Sequence, residues 1–365
     1  MNSPLHILYI LRASSATVKG GDTIQAYKTA EALRALGLRI DIRLCNEKNI
    51  DYSQYQLLHF FNIIRPADLL PHIQKSKLPY VVSTIFVDYT AYEQQDKSLK
   101  GRLLNFFNRD TKEYLKAVAR LLVNGERIGS LQYILLGQKK SIQYILKNAA
   151  VLLPNSESEY QRLVKAYGVE KTYQVVCNSA DTDLFNCTDA SIDQKTPNMV
   201  LCVARIEGRK NQLNLIKALN NTAFELYLIG NPAPNHMAYY KACKLAAAAN
   251  IHFISELSQN ELAAYYQKAK VHVLPSWFET TGLSSLEALF SGCSLVLTKY
   301  GDTQEYFPEA SHFYCDPYSH LSIRKAIEQA ALNNPSIATI QAARAKYNWQ
   351  NTATQTLLTY KKAIH

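Results

Sequence analysis

No apolar run in this chain approaches the roughly 20 residues needed to span a bilayer. The longest early candidate, Leu5 to Leu11, is short and carries His6. The first residues lack the basic, apolar and small-residue succession of a secretory signal. A C-x-x-C pair is also missing. Cys45, Cys177, Cys187, Cys202, Cys243, Cys293 and Cys315 are odd in number and scattered, the pattern of reduced thiols in a cytoplasmic protein rather than a disulfide framework or zinc site. No G-x-G-x-x-G follows a candidate first strand, which disfavours a nicotinamide-linked dehydrogenase. Charged residues are only 19% of the chain while hydrophobic ones are 47%, too apolar a balance for disorder. At 365 residues the chain exceeds one ordinary core, so two domains are expected.

The net charge of +10 is unevenly placed. Between Lys97 and Lys147 eleven Lys or Arg face three acids, a local +8 that leaves the rest nearly neutral. That segment also carries Leu103, Leu104, Phe107, Leu115, Val118, Leu122, Ile142 and Ile145 at helical spacing. A basic amphipathic stretch suits an anionic membrane surface, a solvated helix face over its own core, or, less readily, nucleic acid.

Strand and helix patterns alternate along the whole chain. Strands are expected at Leu5–Leu11, Leu38–Leu44, Gln56–Phe61, Pro79–Val87, Ala149–Pro154 and Tyr173–Cys177, with helices over Thr23–Leu36 and Ser156–Tyr167. The polar stretch Thr188–Asn198 reads as a linker. A second alternation follows: strands at Met199–Val203, Glu225–Ile229, Ile251–Phe253, Val271–Leu274 and Leu295–Thr298, and helices at Gln212–Leu219, Tyr239–Ala249, Glu261–Ala269 and Ser284–Phe290. A last helix is expected from Tyr347 to Lys362. Such alternation argues for α/β architecture, two doubly wound parallel sheets with a cleft between them and ligands at the carboxyl ends of strands.

Two loops at such strand ends carry the chemistry. Ala204-Arg205-Ile206-Glu207-Gly208-Arg209-Lys210-Asn211 sets three cations in six residues beside a helix start, which fits a multi-oxygen anion or a solvated basic turn. Ser276-Trp277-Phe278-Glu279-Thr280-Thr281-Gly282 precedes a helix whose amino terminus offers free N–H groups and positive dipole. Glu279 stands before that helix and Glu287 inside it, among Leu286, Ala288, Leu289 and Phe290. Carboxylates so placed suit vicinal hydroxyl pairs, as on ribose and hexose.

Glu279 and Glu287 match the E-x7-E motif of the family 4 glycosyltransferases, and the chain resembles that family along most of its length. Arg205, Lys210 and Asn211 are similar to its R-x4-K-N segment, Asn178-Ser179-Ala180-Asp181 with Phe185 to its N-G-V-D…F element, and Gly20-Gly21 to its amino-terminal glycine pair. The resemblance implies the GT-B fold, two Rossmann-like domains facing each other across a cleft: residues 1–190 for the acceptor, 191–345 for the nucleotide sugar, and a helix over 346–365 returning to the first domain. It implies a retaining, metal-independent transfer of a hexose-type sugar from a UDP- or GDP-sugar, which is substrate rather than cofactor. The acceptor would be a glycan or lipid-linked molecule in surface polysaccharide synthesis, at the inner face of the cytoplasmic membrane, with no nucleic-acid partner. Arg205 and Lys210 would neutralise the diphosphate, Glu279 contact the sugar, Glu287 the ribose, and Thr281, Gly282 and Leu283 hold the β-phosphate by backbone N–H groups. Gly20 and Gly21 would let the first-domain loop approach the diphosphate.

The sequence departs from the family after the fourth strand, where Asp88 is present but the usual preceding His is not. Asp88 is a candidate active-site residue or a helix N-cap; His59 is a second polar candidate or a core histidine. Gly301-Asp302-Thr303-Gln304-Glu305 keeps one glycine and the acid, Glu305, of the usual G-G-x-x-E. A GT-B epimerase or hydrolase, and a non-catalytic membrane-surface protein, are the alternatives.

Overall fold

The structure, a computed structural model, describes residues 4–16, 20–87, 110–111, 113–115, 130–307 and 309–364. Asp88 and much of the basic segment, including Leu103, Leu104, Phe107, Val118 and Leu122, lie outside these residues. The chain divides into two compact units. One runs through Phe86, resumes with the described residues up to Asn178, and takes in the last helix from Trp349; the other spans Ser179–Asn348.

The first unit holds five parallel strands: β1 (His6–Leu11), β2 (Arg39–Leu44), β3 (Leu57–Phe61), β4 (Tyr80–Ser83) and β5 (Val151–Leu153). Their order is β2-β1-β3-β4-β5. Every residue of β1, β3, β4 and β5 is buried, as strands covered on both faces require, whereas edge strand β2 exposes Arg39 and Arg43. The covering helices are α1 (Gly21–Ala35), α2 (Pro66–Ser76), α3 (Leu131–Asn148) and α4 (Glu157–Tyr167). Ser156 caps α4 by accepting from the Glu159 N–H, and Gly168 closes it in the left-handed conformation. Pro66 opens α2, a helix start that the sequence reading passed over.

Two expected strands are corrected. The fourth stops at Ser83 instead of reaching Val87, because Ile85 takes φ +45 and breaks the extended run. Tyr173–Cys177 is no strand. Its Tyr173 bridges Leu152, and Gln174 N–H and Val176 N–H donate to Leu152 and Pro154 carbonyls, an edge pairing too irregular to count as one.

The linker expected over Thr188–Asn198 is folded as well. Thr188 and Ser191 form a reciprocal capping box around α5 (Asp189–Asp193), whose Ile192 is buried, and β6 begins at Thr196. This stretch therefore packs within the second unit, and the division falls at Asn178 and Ser179 rather than near residue 190.

In the second unit, β6 (Thr196–Val203), β7 (Glu225–Ile229), β8 (Ile251–Ile254), β9 (Ala269–Leu274), β10 (Ser294–Thr298) and β11 (His312–Cys315) make a parallel sheet ordered β11-β10-β9-β6-β7-β8. Helices α6 (Gln212–Leu219), α7 (Met237–Ala246), α8 (Gln259–Lys268), α9 (Leu283–Phe290), α10 (Thr303–Tyr306), α11 (His320–Leu332) and α12 (Ile337–Lys346) complete it. Strands β6, β7, β8 build outward one way and β9, β10, β11 the other, so the order reverses between β6 and β9. In doubly wound sheets ligands bind outside the carboxyl ends at that reversal. The loops leaving β6 and β9 are the two that carry Arg205, Lys210 and Glu279.

The last helix, α13 (Trp349–Ile364), buries Thr352, Ala353, Thr356, Thr359 and Tyr360 within the first unit. Tyr360 Oη lies 2.7 Å from Tyr9 Oη and 2.7 Å from His59 Nδ1, and His59 Nε2 lies 2.9 Å from Ser83 Oγ. His59 stacks on Phe61 and is wholly buried, which pushes its pKa down to about 3. It is a neutral core histidine that fastens α13 to β3 and β4.

Candidate active site

At the β6–β9 reversal a carboxylate and an ammonium meet. Lys210 Nζ sits 2.6 Å from Glu279 Oε2, and Ser276 Oγ donates to the same oxygen at 3.0 Å. Glu279 is buried, so its charge is held by these two donors in a setting where ion pairing is stronger than in water. The backbone clamps it too. Glu279 N–H donates to the Tyr300 carbonyl at 3.0 Å, and Asp302 N–H donates to the Glu279 carbonyl at 2.9 Å. The two loops touch so closely that a Cβ on Gly301 would stand 1.9 Å from the Glu279 oxygen, and Gly301 has φ +111. Only glycine fits there.

Asp302, buried, closes on Glu279 through its backbone, whereas Glu305 stands exposed on α10 with its carbonyl accepting from Tyr347 Oη. Asp302 was missed because its part is played by the main chain, which side-chain chemistry does not announce.

Gly282 is the N-cap of α9, with φ +65 and ψ 69 in the left-handed region that favours glycine. Just before it Thr281 is buried, and its Oγ1 has no hydrogen-bond partner in the protein. A buried hydroxyl without a partner costs about 1–3 kcal/mol, a penalty that a bound acceptor oxygen would relieve. Leu283 is the first residue of α9.

Glu287 lies half-buried on α9, where Tyr266 Oη donates to its Oε2 at 3.2 Å. Burial pushes its carboxyl up to about 8; the Tyr266 hydrogen bond pulls it down and the Asp181 charge adds to the rise. Near neutral pH this carboxyl is protonated in the absence of ligand.

The β6 loop is more finely balanced than a run of cations suggests. Glu207 is buried and receives two hydrogen bonds from Arg209 Nη2, each 3.0 Å. Arg205 Nη2 lies 3.9 Å from Glu207 Oε1, and its side chain is 38% exposed. Burial works against the ionised Glu207, yet Arg209 and Arg205 outweigh it and hold the carboxyl below its ordinary range. Asn211 takes φ +61 and donates to the Pro275 and Pro317 carbonyls at 3.1 and 2.9 Å, which makes it an anchor between loops. Trp277 N–H donates to the Arg209 carbonyl at 3.0 Å and joins the β6 and β9 loops directly.

Gly20 and Gly21 belong to the first unit, at the start of α1. Gly20 is extended, with φ −123 and ψ 176, and a Cβ there would stand 2.7 Å from Asp22 Oδ1. Asp22 is engaged by Arg12 at 2.8 Å, beside a small cavity lined by Leu11, Arg12, Ser15, Asp22, Thr23 and Phe61. A Cβ at Gly20 would press on the Arg12–Asp22 pair. The cavity lies where the first sheet's order reverses, between β1 and β3.

Residues 188–351 match the family model described as Glycosyl transferases group 1. Among curated proteins the chain is 26% identical, over 60% of its length and 58% of the other's, to a D-inositol 3-phosphate glycosyltransferase of Corynebacterium urealyticum. It is 26% identical to an MMP alpha-(1->4)-mannosyltransferase of Mycolicibacterium hassiacum over 52% of this chain and 48% of that one. The chain thus spans about half the length of these relatives. Among solved structures it is similar to sucrose-phosphate synthase of Thermosynechococcus elongatus, with a TM-score of 0.75, 16% identity and 98% coverage of both chains. It is also similar to Anabaena HepE in complex with UDP and glucose, with a TM-score of 0.72, 14% identity and coverage of 98% of this chain and 99% of that one. The two parallel-sheet α/β units are those of the GT-B fold.

Proposed function

We propose, on the premise that residues 188–351 belong to the glycosyl transferases of group 1, that the protein transfers a hexose-type sugar, with retention, from a nucleoside-diphosphate sugar to a glycan or lipid-linked acceptor in surface polysaccharide synthesis. The observation that carries this reading is the Lys210–Glu279 pair, 2.6 Å apart, beside the α9 amino terminus and the unpartnered Thr281 hydroxyl. A diphosphate needs positive charge as it leaves, and Arg205 and Lys210 supply it without calling on a metal ion. Backbone N–H groups at Thr281, Gly282 and Leu283 meet the β-phosphate, where the helix dipole adds to the attraction.

In this reading Glu279 orients the transferred sugar through its hydroxyls, while Glu287 accepts from the ribose. The acceptor oxygen attacks on the face the diphosphate leaves, and its proton passes to the departing phosphate oxygen, so no protein nucleophile takes part. Asp88, outside the described residues, is kept as a candidate active-site residue. The donor in this reading is UDP- or GDP-linked, and the similarity to HepE in complex with UDP and glucose supports the first.

The expected test uses Glu279→Ala and Lys210→Ala. Both should bring sugar transfer to background while the far-UV circular dichroism of the folded chain is retained. Full activity in both would remove the assignment. Free sugar or an epimer formed without any acceptor would favour hydrolysis or epimerisation instead.

A membrane-facing acceptor is supported by α3. Leu131 and Leu135 there are 79% and 85% exposed, Ile134 is exposed beside them, and Lys139 and Lys140 follow. Among the described residues no helix is long and apolar enough to cross a membrane. Contact would therefore be peripheral, on anionic lipid, and should appear as flotation with phosphatidylserine vesicles at low salt that fades at high salt. No flotation at either salt would remove it.

A further inference from the structure

The β6 loop holds one more charged group than a diphosphate clamp requires. Glu207 sits between the two arginines, its side chain only 4% exposed, with both carboxylate oxygens 3.0 Å from Arg209 Nη2. Arg205 is more loosely related to it at 3.9 Å. A salt bridge this close and this shielded takes the Arg209 charge largely out of play, while the exposed Arg205 keeps most of its own. The backbone fixes the arrangement further. Lys210 N–H donates to the Glu207 carbonyl at 2.9 Å, Gly208 N–H donates to His236 Nδ1 at 3.4 Å, and the Arg209 carbonyl is held by Trp277 N–H. Burial and the neighbouring arginines push the His236 pKa down despite the Glu207 charge, so His236 adds no cation near neutral pH.

We infer that Glu207 is a positioning residue that withdraws Arg209 from anion binding, so that a nucleoside diphosphate is held by Arg205 and Lys210 and released after transfer. The inference rests on the proposed donor site and specifies its charge regulation. With Glu207 ionised, the loop attracts a diphosphate strongly enough to bind it and weakly enough to let the product go. With Glu207 neutral, Arg209 becomes a third cation beside the same anion, and product release slows.

Titration calorimetry of UDP, GDP and ADP into the full-length chain tests this, with Glu207→Gln and the Glu207→Gln/Arg209→Gln double variant. For whichever diphosphate the wild type binds, Glu207→Gln should tighten Kd about three- to tenfold at low salt, with a steeper loss of affinity as salt rises. Its steady-state kcat should fall while the single-turnover rate is retained, because release and not transfer is slowed. The double variant should return Kd to within about twofold of the wild type. A folded Glu207→Gln protein with unchanged or weaker diphosphate binding overturns the inference, as does tightening that persists in the double variant. A wild type that binds none of the three diphosphates refutes the donor site itself. A merely structural Glu207 would lower affinity and melting temperature together, the opposite sign.

Discussion

Replacing Glu287 by Gln should stabilise the protein and disable it. The folded carboxyl is raised to about 8 from an ordinary 4.5. Above pH 4.5 the unfolded chain has lost this proton while the folded one keeps it until about 8. The unfolded state thus binds fewer protons, and stability falls as pH rises through that window. Full conversion of the displacement would cost about 5 kcal/mol above pH 8; the half-buried position lets solvent relax part of this, so about 1–3 kcal/mol is expected. Gln keeps an oxygen for the Tyr266 hydroxyl and carries no titrating charge. In a unit of this size 1 kcal/mol moves Tm by about 2–4 °C. The variant and wild type should therefore melt together near pH 4.5 and diverge by about 3–10 °C at pH 8.5, with the variant higher. Scanning calorimetry in a pH series measures this. Parallel melting curves across the series, or a less stable variant at pH 8.5, would refute the reasoning. In the same samples donor affinity should fall at least tenfold in the variant, because the amide nitrogen meets a hydroxyl where an oxygen is needed. Wild-type donor affinity should rise between about pH 6 and 8 as hydroxyls from the ribose draw the carboxyl into its ionised form. Stability gained with function lost is the trade expected of a residue kept for its ligand.

Gly301→Ala would force a methyl group onto the Glu279 carbonyl, and separating the loops should cost about 2 kcal/mol or more in urea unfolding and abolish transfer; unchanged activity would show the clamp to be unnecessary. Tyr360→Phe removes the hydroxyl shared by Tyr9 and His59 and should cost about 1–3 kcal/mol, read by urea denaturation. A neutral effect there would mean that the three-residue network contributes nothing to holding α13.

Much of the fold was legible in the sequence because its signals are local. The apolar run Leu5–Leu11 reads as a buried strand and proves to be one, buried from His6 to Leu11, and Ser156 with Gly168 marks both ends of α4. Errors arose where the local signal and the tertiary one conflict. Thr188–Asn198 is polar enough to be a linker, yet its Thr188–Ser191 box and one buried isoleucine turn it into helix and strand. Tyr173–Cys177 has strand composition, but it meets β5 in an irregular pairing. His59 read as either a polar site candidate or a core histidine, and its packing against Phe61 and Tyr360 places it in the core.

At the site, the sequence by itself determined which residues are chemically able: two glutamates, the Arg205 and Lys210 cations and a glycine at a helix start, at spacings that resemble a known motif. It could not determine which of these charges are already spent. Lys210 meets Glu279 across sixty-nine positions, and Glu207 neutralises Arg209 inside what reads as a cationic loop. The protonation of Glu287 depends on its burial, on Tyr266 and on Asp181, none of which its own stretch of sequence announces. Charge state is a property of surroundings, set by distance and solvent access, and those exist only once the sheet has brought the ends of β6 and β9 together.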